Sequence, residues 1–445
     1  MRSMSLSRRD FIKIGASFVV GLGVGYGLGA VVRGVPQQPS ATASLAAATA
    51  QSTTSSTSTA TAAKKTFKLA VVSFQTGAAS VFGVPAINAA KLIVDQINAS
   101  GGILGAKVEL DVRDESGGPD KMVALYRQLV EQEGVDAYVG LISSADCLAV
   151  APVAEDLGRV LTVFFDCATK QLVDNNMMKK VTFRTAGTTV TDGSSLARYV
   201  LEVMPDVKTV VGLNQDYAYG RDEWYDFKTT LLKLKPDVQI LGEFFTPLFT
   251  NDYSAQISKI LSLKPDLLHT SFWGPDLVNL IKQGNAMGLF KAVRGAFARG
   301  EFGLGYGMQD GQIVQGPNYY KVPDPRFYWI NKDFVEKYKS SFGELPTYPA
   351  YHMASAVLGV KYAFEAAALV ENVEWPDLSA VIKAFERLAY PTPGGYIVMT
   401  PNHNAMCGSV VGISKGGELT SIKYYDSTEV NPPPGVTSEE WYKGI

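Results

Sequence analysis

The sequence predicts an α/β protein built of two doubly wound lobes, and three observations predict it. From residue 66 onward, short β-branched or apolar runs alternate with amphipathic segments, the pattern of βα units on parallel sheets with helices on both faces. The pattern continues for roughly 380 residues, too many for one such sheet and its core. At 46% hydrophobic and 19% charged residues the composition is that of an ordinary soluble globular protein.

Residues 1–33 differ from all that follows. Arg2, Arg8, Arg9 and Lys13 precede an uncharged stretch over 14–32, and Arg33 closes it. That is the layout of an export signal, and Ser7-Arg8-Arg9-Asp10-Phe11-Ile12-Lys13 resembles the twin-arginine signal that addresses folded proteins to their own translocase. At ~20 residues the stretch also suffices to span a bilayer, so a cleaved signal and a retained anchor are both open. The GxxxG spacings among Gly21, Gly23, Gly25, Gly27 and Gly29 are better read as lowered hydrophobicity than as helix pairing. No cysteine lies near the signal to carry a lipid, and Ala41-Thr42-Ala43 offers an AxA cleavage site far downstream. Residues 34–65 form a linker dominated by Ser, Thr and Ala, a composition that cannot bury enough apolar surface to offset its ordering entropy. Beyond residue 63 the chain carries 36 basic against 42 acidic groups. No Lys/Arg cluster with interleaved aromatic residues occurs, so nucleic acid is not an expected partner.

The folded part opens with a strand over 67–74 and a helix over 85–100 whose Ala89, Leu92, Ile93, Gln96 and Ile97 fall largely on one face. A strand over 107–113 precedes a helix carrying Met122, Leu125, Tyr126 and Leu129 at the same spacing. Further strands read over 137–141, 160–165, 209–213, 239–245, 267–272 and 292–296, with helices between them.

Open α/β sheets bind ligands at the carboxyl ends of their strands. Here those loops read Ser73-Phe74-Gln75-Thr76-Gly77-Ala78 with Phe82-Gly83, Ser143-Ser144-Ala145-Asp146, Asp166-Cys167-Ala168-Thr169, Asp216-Tyr217-Ala218-Tyr219-Gly220-Arg221 and Trp273-Gly274-Pro275-Asp276. Hydroxyls and helix N-terminal amides suit a carboxylate, and aromatic rings make apolar walls. Any one loop alone would read as helix capping; five together point to a small-molecule cleft.

The stretch Ile97-Asn98-Ala99-Ser100-Gly101-Gly102-Ile103-Leu104-Gly105-Ala106 is similar to extracellular solute-binding proteins of the branched-chain amino-acid type, the type I periplasmic-binding fold. So are Arg113-Asp114-Glu115-Ser116-Gly117-Gly118-Pro119, Leu148-Ala149-Val150-Ala151-Pro152-Val153-Ala154-Glu155 and Tyr217-Ala218-Tyr219-Gly220-Arg221. The resemblance runs over nearly all of 66–425 and weakens after Arg294. It implies two Rossmann-like lobes joined by three crossovers, near 185–187, 312–316 and 399–402. Lobe 1 would then comprise 66–187 and 316–398, lobe 2 would comprise 188–315 and 399–425, and 426–445 would be a C-terminal tail without counterpart. It implies ligand contacts at Phe82, Ser144, Ala145, Cys167, Thr169, Tyr219 and Trp273, with Phe297 added by its place beside the last of the cleft loops. It also implies an ABC-importer permease as partner, an extracytoplasmic location, and membrane contact only through the N-terminal segment.

The chain departs from its relatives' pattern where amino-acid binders place an acid for the ligand ammonium: it reads Phe297-Ala298-Arg299-Gly300-Glu301. Either Glu301 takes that role by a shift, or Arg299 makes a second anion contact and the cargo is no amino acid. Asp146 and Asp166 could supply the acid from across the cleft, although exposed caps are the simpler reading. The expected cargo is an amino acid or a related carboxylate or amide. Cys147 and Cys167 follow successive strands at the same end of one lobe and should lie close; two buried free thiols are favoured over a disulfide. The three cysteines and three histidines show no metal-ligand spacing, no phosphate loop or nucleophile elbow occurs, and no cofactor or catalysis is expected. The alternative is a ligand-sensing domain acting through a membrane partner.

Overall fold

The computed structural model describes residues 65–321 and 328–445; the predicted signal and the Ser/Thr/Ala-rich linker lie outside the described residues. Five parallel strands make the first sheet: β1 (Thr66–Ser73), β2 (Lys107–Asp114), β3 (Ala137–Gly140), β4 (Leu161–Phe164) and β5 (Thr182–Arg184), in the order β2-β1-β3-β4-β5. Helices α1 (Ser80–Ala99), α2 (Pro119–Arg127), α3 (Ser144–Leu157) and α4 (Gln171–Asp174) connect them. The periodicity of α1 is as anticipated, but the helix begins five residues before Pro85, which sits inside it.

The chain then enters a second sheet through α5 (Thr189–Val203). Its strands are β6 (Thr209–Gln215), β7 (Gln239–Thr246), β8 (Leu267–Thr270), β9 (Arg294–Phe297) and β10 (Ile313–Gly316), connected by α6 (Ala218–Leu234), α7 (Ser254–Leu263), α8 (Gly274–Ala286) and α9 (Leu289–Ala292). A 3-10 turn over Gly300–Tyr306 follows β9. Returning to the first lobe, α10 (Tyr328–Phe342), α11 (Tyr348–Glu371) and α12 (Leu378–Phe385) precede a small sheet of β11 (Ala389–Thr392), β12 (Gly395–Met399) and β13 (Ala405–Met406). Antiparallel β14 (Ser409–Lys415) and β15 (Glu418–Tyr425) complete the seven-stranded second sheet, ordered β15-β14-β10-β9-β8-β6-β7. Because β13 still pairs with β12, the last passage between lobes falls at Cys407 and Gly408, beyond the 399–402 expected from the sequence. The tail forms α13 (Ser427–Val430) and α14 (Ser438–Tyr442).

Each sheet is buried on both faces, as parallel strands require. In the first lobe Leu69, Val71 and Val163 face the layer that holds α1 and α11, whereas Ala70, Val72 and Phe164 face Tyr126, Val150 and Leu172. In the second, Val211, Leu213 and Phe297 face α7 and α8, whereas Val210 and Ala296 face α5 and α6. Helix α11 is long and apolar because it is the central core helix of the first lobe, with Tyr351, Met353, Ala354, Val357 and Val360 buried.

Candidate functional site

The carboxyl ends of the two sheets face each other, and the loops leaving them meet. Arg299, after β9, donates Nη1 to Asp166 Oδ1 at 2.7 Å, after β4. Thr169 Oγ1 donates to Asp222 Oδ2 on α6 at 2.5 Å, and Lys170 Nζ lies 2.7 Å from Asp226 Oδ1 on the same helix. The Phe82 and Trp273 rings, one from each lobe, pack edge-on at 5.8 Å. Tyr219 and Trp273 of the second lobe thereby join the first lobe's core cluster, so the cleft is closed.

Two glycines explain how the aromatic walls are placed. A Cβ on Gly83 would lie 1.9 Å from the Phe74 carbonyl oxygen, and one on Gly220 would lie 2.1 Å from that of Gln215. In each lobe the helix after the first strand is pressed onto its strand end, possible only without a side chain, and the preceding ring is fixed over the cleft. Those rings are Phe82, fully buried, and Tyr219, 4% exposed.

The other expected contacts divide. Ser143 caps α3 by accepting from the Asp146 amide, so Ser144 heads that helix at the cleft edge. Its Oγ accepts from the Thr169 amide at 3.3 Å, which joins the second and third loops. Ala145 follows, half-buried. Trp273 Nε1 donates to Tyr217 Oη at 2.8 Å, fixing the indole. Two residues are corrected. Cys167 is bonded to Cys147 in a disulfide, with Cα atoms 6.5 Å apart, and both sulfurs lie in the α2/α3 layer, away from the cleft. Phe297 belongs to the second lobe's own core, its ring 5.5 Å from that of Phe290. Strand alternation sends Phe297 to one face and Ala296 to the other, so neither reaches the strand-end opening.

The electrostatic centre was only half legible in the sequence. Arg299 is 4% exposed and is held by two carboxylates, with Nε donating to Asp192 Oδ2 at 2.7 Å and Nη1 to Asp166. Its guanidinium carbon stands 5.3 Å from the Tyr348 ring centre and 5.9 Å from that of Tyr219. The second anion contact read from Arg299 is therefore filled by the protein itself. His352 Nδ1 lies 2.7 Å from the same Asp166 oxygen. Asp192 sits on α5 and His352 on α11, remote in sequence and without a motif to flag them. Glu301 Oε1 accepts from the Tyr348 amide at 3.1 Å, and burial pushes its carboxyl up to about 8. Asp146 is no exposed cap: it is buried beside Glu115, and burial raises its carboxyl to about 6. Glu115 in turn accepts from the Ile142 and Ser143 amides and shapes the second loop.

Several buried polar atoms at this junction have no hydrogen-bond partner among the described residues: Asp166 Oδ2, Tyr219 Oη, Thr185 Oγ1, Thr189 Oγ1 and Ser271 Oγ. Buried polar groups are costly unless satisfied.

The chain matches the family described as "Periplasmic binding protein" over residues 66–418. It is 30% identical over 201 residues to a Leu/Ile/Val-binding protein of Rhizobium johnstonii, a stretch covering 45% of this chain and 53% of that protein. A leucine-, isoleucine-, valine-, threonine- and alanine-binding protein of Pseudomonas aeruginosa is 24% identical, over 75% of this chain and 85% of its own length. Among solved structures, a Rhodopseudomonas palustris solute-binding protein of an ABC transporter, in complex with 3,4-dihydroxybenzoic acid, superposes with TM-score 0.72 at 22% identity, covering 83% of this chain and 99% of that one. A Thermotoga maritima leucine-binding protein superposes with TM-score 0.69 at 22% identity, over 80% and 97%. At these identities the structural likeness is one of fold.

Proposed function

The chain belongs to the periplasmic binding protein family, a family of extracytoplasmic binding proteins rather than enzymes, and from that premise we propose that it captures a small organic solute by hinge closure and delivers it to the permease of an ABC importer. The cargo class this reading favours is an amino acid or a related carboxylate or amide, in keeping with the amino-acid and benzoate ligands named for its relatives. Export by the twin-arginine route, with the N-terminal segment either cleaved or kept as a tether, completes the proposal; it rests on the motif at Arg8-Arg9.

The observation that carries it is the meeting of the Phe82 ring of one lobe with Tyr219 and Trp273 of the other, on loops neighbouring those whose Ser144 and Thr169 are hydrogen-bonded. Ser144 and the α3 amides suit a carboxylate, and the rings of Phe82, Tyr219 and Trp273 an apolar body. A thermal-shift screen of amino acids, aromatic acids, amides and urea tests the reading, because a ligand that binds the folded closed state raises stability, by about 2.7 kcal/mol at a hundredfold excess over Kd. By calorimetry on the best hit, Tyr219→Ala should weaken binding. Ser144→Ala should cost roughly 1–3 kcal/mol with a carboxylate ligand only. Unchanged affinity in both variants contradicts this cleft assignment.

A further inference from the structure

The C-terminal tail has no role in the binding reading, yet it is tied to both lobes. Its first half belongs to the second lobe. Val430 is buried against α5 and α6, Ser194 Oγ donates to the Val430 carbonyl at 3.1 Å, and Thr191 Oγ1 donates to Asn431 Oδ1 at 2.6 Å. Asn431 Nδ2 also donates to the carbonyl of Cys407, where the chain passes between lobes. Pro432 to Pro434 and a turn in which the Val436 amide donates to the Pro433 carbonyl at 3.0 Å then lead to α14.

On α14, Ser438 and Tyr442 stand four residues apart and so share one helix face. Ser438 Oγ donates to Asp174 Oδ2 at 2.6 Å, and Asp174 ends α4 in the first lobe. Tyr442 Oη donates to Asp226 Oδ1 at 2.8 Å, and Asp226 lies on α6 in the second lobe. Both residues are 2% exposed. Between the two carboxylates runs Lys170 of the first lobe, ion-paired to Asp226 and 3.9 Å from the centre of the Tyr225 ring, whose hydroxyl donates to Glu439 of α14 at 3.0 Å. One short helix thus straddles the seam at which the lobes must part. If the lobes hinge, Asp174 and Asp226 separate, and a helix of this length can follow only one of them.

Resting on hinge closure as the binding motion, we infer that the C-terminal segment is an interlobe latch: α14 holds the lobes together through Asp174 and Asp226, and must release one of them before the cleft opens. The latch sets the closed fraction in the absence of cargo, and with it the rate at which cargo enters and leaves.

The test needs no cargo. Spin labels at Lys91→Cys on α1 and Lys282→Cys on α8, exposed sites in different lobes, report the interlobe distance by pulsed electron resonance in a Cys407→Ser background. The otherwise wild-type chain should populate mainly the short distance. Ser438→Ala combined with Tyr442→Phe should raise the ratio of open to closed at least about tenfold, the scale of the one buried hydrogen bond to a carboxylate that opening has to break. Deletion of 432–445 should raise it further. Distributions unchanged by both variants, or a parent that is already open, overturn the latch. A lowered Tm with an unchanged distribution overturns it too, by showing a tail that merely stabilises the second lobe.

Discussion

The residues that join the lobes carry charges that can be counted. Arg299 is buried with one carboxylate from each lobe, Asp166 and Asp192. Removing one partner of such an arrangement leaves the others uncompensated, so Arg299→Met should destabilise the protein by about 3–5 kcal/mol in urea unfolding, out of proportion to the volume lost. Glu301 offers a test of sign. Its folded carboxyl is raised to about 8 from an ordinary value of 4.5, so between those limits the folded state holds a proton that the unfolded state has released. Stability must therefore fall as pH rises from about 5 to 8. Asp226 and Asp146, both raised to about 6 by burial, add to the fall in the lower part of that window. Glu301→Gln, which mimics the neutral acid, should remove about one proton's worth of the slope in Tm against pH; an unaltered slope would mean that Glu301 is ionised in the fold. Arg299 and Glu301 were noticed in the sequence as an anomaly beside Phe297, but their partners were not, because Asp192, His352 and Tyr348 become neighbours only when three separate passages of chain converge.

Among the elements, the disulfide ties the first turn of α3 to the loop after β4, the two segments that also share the bond between Ser144 and Thr169. The sequence placed both cysteines at one end of one lobe but favoured free thiols, since strand order fixes neighbourhood and not the direction of a Cβ. With the partners 20 positions apart in sequence, loss of the bond in a Cys147→Ala, Cys167→Ala variant should cost roughly 3 kcal/mol of stability. Reductant should lower the Tm of the parent and leave the variant unmoved. Strands β1 to β4 and β6 to β9 were legible as short apolar runs, and helices α1 and α2 from the spacing of their apolar residues. Strands β5 and β10 to β15 were not; β5 and β10 to β13 are two to five residues long, too short for a pattern of period two to register, and β14 and β15 lie in the part of the chain where the resemblance weakens. Helix α14 escaped notice for a similar reason: five residues after a proline run carry no periodicity, and its Thr437-to-Glu440 capping box stands alone.

In the whole molecule, alternation of strand and helix and the length of chain determined two lobes with parallel sheets and loops at their strand ends. These are consequences of local physics: side-chain period and the need of a parallel sheet to be covered on both faces. The sequence also put Phe82, Ser144, Thr169, Tyr219 and Trp273 on those loops, since a residue just after a strand is at the sheet's end whatever the rest of the fold does. Only the tertiary structure decided which of them turn inward, that Phe297 and the Cys167 sulfur turn away, that Arg299 spends its charge on the protein's own carboxylates, and that the last residues of the chain lie across the seam. Each of those outcomes depends on contacts between residues tens to hundreds of positions apart, such as Asp166 with Arg299 and Asp174 with Ser438. Burial then sets the protonation and pairing of each group, and burial belongs to the assembled molecule rather than to any stretch of its sequence.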